Sequence, residues 1–129
     1  MQPSPEIEQI LGQAHKIAVD KKHDYVTVEH LTLALVKNAR FKRCIESYGS
    51  SSQAIAHDLE LFLDSQAMLV SNPAKKDPKK TNALERVFNR ALTQVMFSGR
   101  RSMATIDLWL AIMSETNSHA RYFMLKHGL

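Results

Sequence analysis

Residues 7–19 read IEQILGQAHKIAV, and residues 84–96 read LERVFNRALTQVM. Laid over one another at a shift of 77 residues, they place Ile7 on Leu84, Glu8 on Glu85, Ile10 on Val87, Leu11 on Phe88 and Ala14 on Ala91. One such match would be noise. The same shift also lays LTLALV (31–36) over LWLAIM (108–113), with Leu31 on Leu108, Leu33 on Leu110 and Ala34 on Ala111. With two more residues inserted, Cys44 and Ile45 meet Phe123 and Met124, and Gly49 meets Gly128. One register carried through successive segments reads as an internal duplication.

The duplicated segments have helical period. Ile7, Ile10, Leu11, Ala14, Ile17 and Ala18 recur at steps of three and one, the stripe of a helix with one buried face. That first helix is expected from about Pro5 to Lys22. Thr27 is a good N-cap for a second helix ending near Asn38, with Glu29 in its first turn, where negative charge suits the macrodipole. A third covers about Ala39 to Tyr48, and Gly49 stops it. Ser50 and Gln53 form a capping box for a fourth, with Ile55, Leu59, Phe62 and Leu63 facing inward. A linker over about 67–80 is broken by Pro73 and Pro78. Helices from about Thr81 to Phe97, Thr105 to Glu115 and Ser118 to His127 then repeat the first three.

No segment alternates as a strand does, so the expected fold is all-α. It is a pseudo-twofold duplicated helical domain spanning residues 1–129. Two three-helix repeats (about 5–49 and 81–129) are joined by a bridging helix and linker (about 50–80). The helix over 105–115 is apolar on more than one side and is expected at the centre, with Trp109 partly reaching a surface groove. Met96, Met103, Met113 and Met124 are expected on inner faces as gap-fillers.

Composition bounds the function. The chain has 129 residues, 44% of them hydrophobic, enough for one core. Its one cysteine, Cys44, permits no intrachain disulfide and fits a reducing cytoplasm. Cys44 is expected to be a small core residue. No charged-then-apolar leader and no run near the ~18 apolar residues of a membrane span is present, so no membrane role is expected. The formal charge of +4 is concentrated in residues 72–101, which hold eight Lys or Arg against Asp77 and Glu85. The run NPAKKDPKKTN lacks aromatic or polar base-readers, so it reads as a solvated linker and not as a nucleic-acid surface.

Residues 23–35, HDYVTVEHLTLAL, gather His23, Asp24, Glu29 and His30 ahead of an apolar run. A metal site needs three or four convergent deprotonated donors. His23 and His30 with Asp64 are the conceivable set, but HEXXH-type spacing is absent, so the expectation is no metal and no cofactor. No nucleophile–base–orienter device can be traced, so no catalytic residue is expected. The bland reading of the cluster is a helix mouth with local capping.

HDYVTVEHLTLAL, a helix ending in Gly49, DLELFL, a Pro- and charge-rich linker, and ALERVFNRAL…SGRRSMATIDLWLAIMSE resemble, in that order, the Clp amino-terminal domain family. The resemblance is strongest to its ClpA-type members and covers about residues 6–129. It implies an all-α duplicated fold and a docking function. In the family this domain precedes AAA+ ATPase modules and captures substrates and adaptors for unfolding and delivery to the ClpP peptidase. ClpA-type domains bind the small adaptor ClpS. The family's adaptor-contact positions match Asp24, Glu29, Thr81 and Arg86 here, so these four are the expected partner-binding residues. Two features depart from the pattern: Thr32 stands where Leu is common, and the linker is lysine-rich where ClpA-type linkers are acidic.

This chain holds no G-x-x-x-x-G-K-[ST], so it cannot hydrolyse ATP through a P-loop. It is expected to be a monomer, since the two halves bury each other's apolar faces. An excised domain and a stand-alone regulator both fit its extent. Two further partner readings are adaptor-free capture of unfolded substrates and binding of arginine-phosphorylated ones. The last needs a carboxylate in each repeat. Glu29 supplies the first, but Ile106 stands at the equivalent position of the second.

Overall fold

The computed structural model describes residues 4–65 and 77–129. Its helices are α1 (Pro5–Asp20), α2 (Val28–Lys37), α3 (Ala39–Ser47), α4 (Ser52–Ser65), α5 (Asn82–Phe97), α6 (Thr105–Met113) and α7 (His119–Lys126). Most of the expected linker, with Pro73, Lys75 and Lys76, lies outside the described residues.

The duplication is visible in what is buried. On α1 the buried positions are Ile7, Ile10, Ala14 and Ala18; on α5 they are Leu84, Val87, Ala91 and Val95, the same four shifted by 77. Leu31, Ala34 and Leu35 of α2 correspond in the same way to Leu108, Ala111 and Ile112 of α6. Phe41 and Ile45 of α3 correspond to Ala120 and Met124 of α7 at a shift of 79. Each large side chain so buried contributes about 1.5–3 kcal/mol relative to an exposed one.

The caps repeat as well. Ser4 accepts from Ile7 N–H and Thr81 from Leu84 N–H, opening α1 and α5. Gly49 (φ 86°) and Gly128 (φ 88°) close α3 and α7 in the left-handed region. Lys22 (φ 61°) and Gly99 (φ 74°), which are 77 apart, do the same after α1 and α5.

The halves are cross-tied. The Ser4 hydroxyl donates to the Met103 carbonyl at 3.2 Å, and the Ser50 hydroxyl donates to the His127 carbonyl at 2.6 Å. Bridging α4 faces α2 and α7 with Ile55, Leu59 and Leu63, and its Asp58 takes Lys126 and His127.

Several expectations are corrected. The fold is all-α as expected, but two short strands are added: β1 (Tyr25–Val26) pairs in parallel with β2 (Lys79–Lys80). Two residues are too few to show an alternating pattern. The central helix is α2, whose residues 28–36 are all buried, and not α6, which exposes Ile106 (48%) and Leu110 (44%). Cys44 is exposed, because the stripe of α3 is only Phe41 and Ile45. Met96 is 65% exposed, since Val95 beside it takes the inward position; Met103 and Met124 are buried as expected. The cap of α4 is Ser51, whose hydroxyl accepts from Ala54 N–H at 3.0 Å, while Ser50 is spent on His127.

Lys22 holds a conformation that costs an L-residue about 1–2 kcal/mol, where the second repeat uses glycine. Lys22→Gly is therefore expected to raise unfolding stability by up to about 1 kcal/mol in urea titration. A lower midpoint would show that the Lys22 side chain offsets its backbone strain.

Candidate docking site

The bridge between β1 and β2 decides where the site forms. Lys79 N–H donates to the Asp24 carbonyl at 3.0 Å, and Thr81 N–H donates to the Val26 carbonyl at 3.1 Å. This brings Thr81, the N-cap of α5, beside Thr27, the N-cap of α2. The start of α7 joins them. The three helix starts surround a shallow depression of about 310 Å3, whose lining includes Glu29, Thr81, Arg86, Glu115 and Ser118. Aligned backbone N–H groups give each helix start a partial positive charge.

Three of the four expected partner-binding residues therefore meet, Glu29 from one repeat and Thr81 and Arg86 from the other. Asp24 does not line the depression; it lies half-buried on the approach to β1. Glu29 is only 9% exposed, and its Oε2 accepts from Ala120 N–H at 3.1 Å, so it also anchors the first turn of α7. Arg86 is exposed and forks onto both oxygens of Glu115, at 3.2 and 2.9 Å. Arg90 reaches Glu115 at 3.1 Å. Hydrogen bonding from Arg86 is the main cause holding the Glu115 carboxyl below its usual range, and Arg90 adds to it. Glu115 and Ser118 were not found from sequence. At the 77-residue shift Glu115 falls on Asn38, a neutral residue that gives no hint of an ion-pair network.

Behind the depression, the histidines of the 23–35 segment bind each other. Thr27 N–H donates to His30 Nδ1 at 2.9 Å, so that nitrogen must be the acceptor. In the neutral ring the proton is then on Nε2, which donates to His23 Nδ1 at 2.8 Å. The relay ties the start of α2 to the turn that follows α1 and spends the ring lone pairs on protein donors. Asp64, the third conceivable ligand, takes Lys21 instead. Among the described residues no three His, Cys, Asp or Glu side chains converge on a metal position.

At the equivalent place in the second repeat, Arg100 forks onto Asp107 at 2.9 and 2.6 Å, and Asp107 accepts from Ala104 N–H at 2.8 Å. Burial works to raise the Asp107 carboxyl, but Arg100 and the Ala104 N–H outweigh it and hold it low.

Residues 2–127 match the family described as the Clp repeat (R) N-terminal domain. The chain belongs to the Clp N-terminal domain family. A ClpA homolog protein from Fuscovulum blasticum is 30% identical over 127 residues, which are 98% of this chain and 16% of that protein. The chain thus spans under a fifth of that relative's length. The fold of this Clp N-terminal domain is also that of the Hsp104 N-terminal domain from Candida albicans (TM-score 0.86, 12% identity, covering 100% of this chain and 83% of that one). The N-terminal domain of the ClpV1 ATPase from E. coli is likewise similar (TM-score 0.80, 18% identity, 95% and 76% covered). Among the described residues no helix of the Clp N-terminal domain is long and apolar enough to cross a membrane.

The histidine relay gives the domain a pH dependence. Burial, with help from His23 and Lys21, lowers the His30 pKa to about 4, and burial also lowers that of His23. Both lie below their unfolded values, so the unfolded chain binds more protons between about pH 6.5 and 4. Stability is full above about 6.5 and is expected to drop by roughly 2–3 kcal/mol by pH 4. Urea titrations across this range check it. His30→Asn keeps an acceptor near Thr27 N–H and should flatten the slope; an equal slope in the variant would assign the loss elsewhere.

Proposed function

We propose that the chain is the adaptor- and substrate-docking domain of a ClpA-type AAA+ unfoldase, and that it receives a ClpS-like adaptor at the depression where α2, α5 and α7 begin. The observation that carries this reading is the meeting of Glu29, Thr81 and Arg86, drawn from both repeats, on one open surface in a Clp N-terminal domain. The N–H ends of three helices, an exposed guanidinium and two carboxylates form a mixed-sign patch. Such patches set orientation and on-rate more than raw affinity. The domain itself contributes no catalysis; ATP hydrolysis and the link to ClpP belong to the rest of the parent chain. Unpaired Cys44 fits a reducing cytoplasm.

Phosphoarginine capture by a matched pair of sites draws less support. The residue that corresponds to Glu29 is Ile106, which is exposed and carries no charge to grip a guanidinium.

The structure decides which variants test the docking reading. Glu29→Lys would place an ammonium against the N–H groups at two helix starts, and so would report folding as well as docking. Arg86 is cleaner, because its guanidinium is exposed and Arg90 still holds Glu115 when Arg86 is replaced. Arg86→Glu is expected to weaken ClpS binding in titration calorimetry by about tenfold or more, with helical circular dichroism unchanged. Asp24→Lys, on the flank, should mainly slow association and change its salt dependence. Unaltered ClpS affinity in Arg86→Glu would sink the assignment.

A further inference from the structure

A cleft of about 700 Å3 lies between α1 and α3, at the far end of α2 from the adaptor site. α2 has ten residues, so the two sites stand about 15 Å apart along it. The volume is in the range of about 300–1,000 Å3 usual for ligand sites. Ile10, Ile17 and Ala34 provide apolar surface within it.

Its charge is unbalanced. Lys16, Lys37, Arg40 and Arg43 line the cleft against only Glu6 and Asp20. Both acids are engaged, Asp20 by Lys16 at 2.9 Å and Glu6 by Arg40 at 3.8 Å. Lys37 pairs with Glu60, which is not part of the lining. Arg43 has no ion-pair partner among the described residues. Cations beside apolar walls raise the local concentration of anionic groups.

The second repeat shows why the cleft is open in the first. At the 77-residue shift Gln9 corresponds to Arg86, Gln13 to Arg90 and Asn38 to Glu115. Arg86 and Arg90 both reach Glu115, and Arg90 also donates to the Ala111 carbonyl at 3.1 Å, stitching α5 to the end of α6. Neutral Gln9 and Gln13 make no such stitch between α1 and the end of α2.

We propose that this cleft docks an acidic amphipathic polypeptide segment of a partner protein. Its carboxylates meet Arg40 and Arg43, and its apolar side chains rest on Ile10 and Ile17. The site is independent of the adaptor reading, since the two share no lining residue.

The test is fluorescence anisotropy of the 129-residue chain with a fluorescein-labelled amphipathic peptide of Glu, Ala and Leu, beside its Lys-for-Glu counterpart. The acidic peptide is expected to bind saturably and the basic one not to bind. Arg43→Glu should weaken binding about tenfold. Lys42→Glu, the same charge change on the neighbouring exposed residue outside the cleft, should leave it unchanged. Amide chemical-shift changes should cluster on α1 and α3. Absence of saturable binding, equal weakening by Lys42→Glu, or shift changes centred on α5 and α7 would each overturn the proposal.

Discussion

The rest of the structure depends on the need to enclose α2. Residues 28–36 are buried without a break, so the helix has no face to offer water. α1, α3 and α4 cover it from one side of the sequence, and α5, α6 and α7 from the other. A helix enclosed this way must also satisfy every polar group it carries. Thr32 donates to the Val28 carbonyl at 2.8 Å, His30 is held between Thr27 and His23, and Glu29 takes the Ala120 N–H. The duplicated halves are therefore not modular in the manner of a solenoid, whose repeats contact only their neighbours. Neither half completes the cover of α2 alone, so the fold should form cooperatively.

The parts of this arrangement legible in sequence were those set by local periodicity. The stripes of α1 and α5 and the caps Thr27 and Thr81 follow from chemistry within a few residues. The centre of the fold was misread because α6 has the more apolar sequence. The three buried polar residues of α2, Glu29, His30 and Thr32, disguise its burial, and their partners lie up to 91 residues away, as Ala120 does from Glu29. The candidate site was legible as separate residues, not as a place. Glu29, Thr81 and Arg86 converge because two backbone hydrogen bonds draw β2 alongside β1, and two residues of strand leave no signature.

Duplication followed by divergence is recorded most plainly at the entrance to α2 and α6. Both helices receive a side chain from the preceding loop and a backbone N–H from the cap position. One entrance uses two neutral imidazoles, and the other a guanidinium and a carboxylate. The geometry is kept while the charge is exchanged. The same exchange recurs at the grooves, where glutamines in one half stand for the arginines that stitch the other. The scaffold is close to twofold, while its electrostatic surface is not.

Cys44 acquires a practical meaning from its position. It is the single thiol of the chain, it is exposed, and it lies one helical turn from Arg40 on the same side of α3. The sequence thus already carries one unique attachment point for a thiol-reactive dye, beside the basic cleft and away from the helix starts proposed to receive an adaptor. A fluorophore placed there would sense occupancy of one face of the molecule without any engineered cysteine.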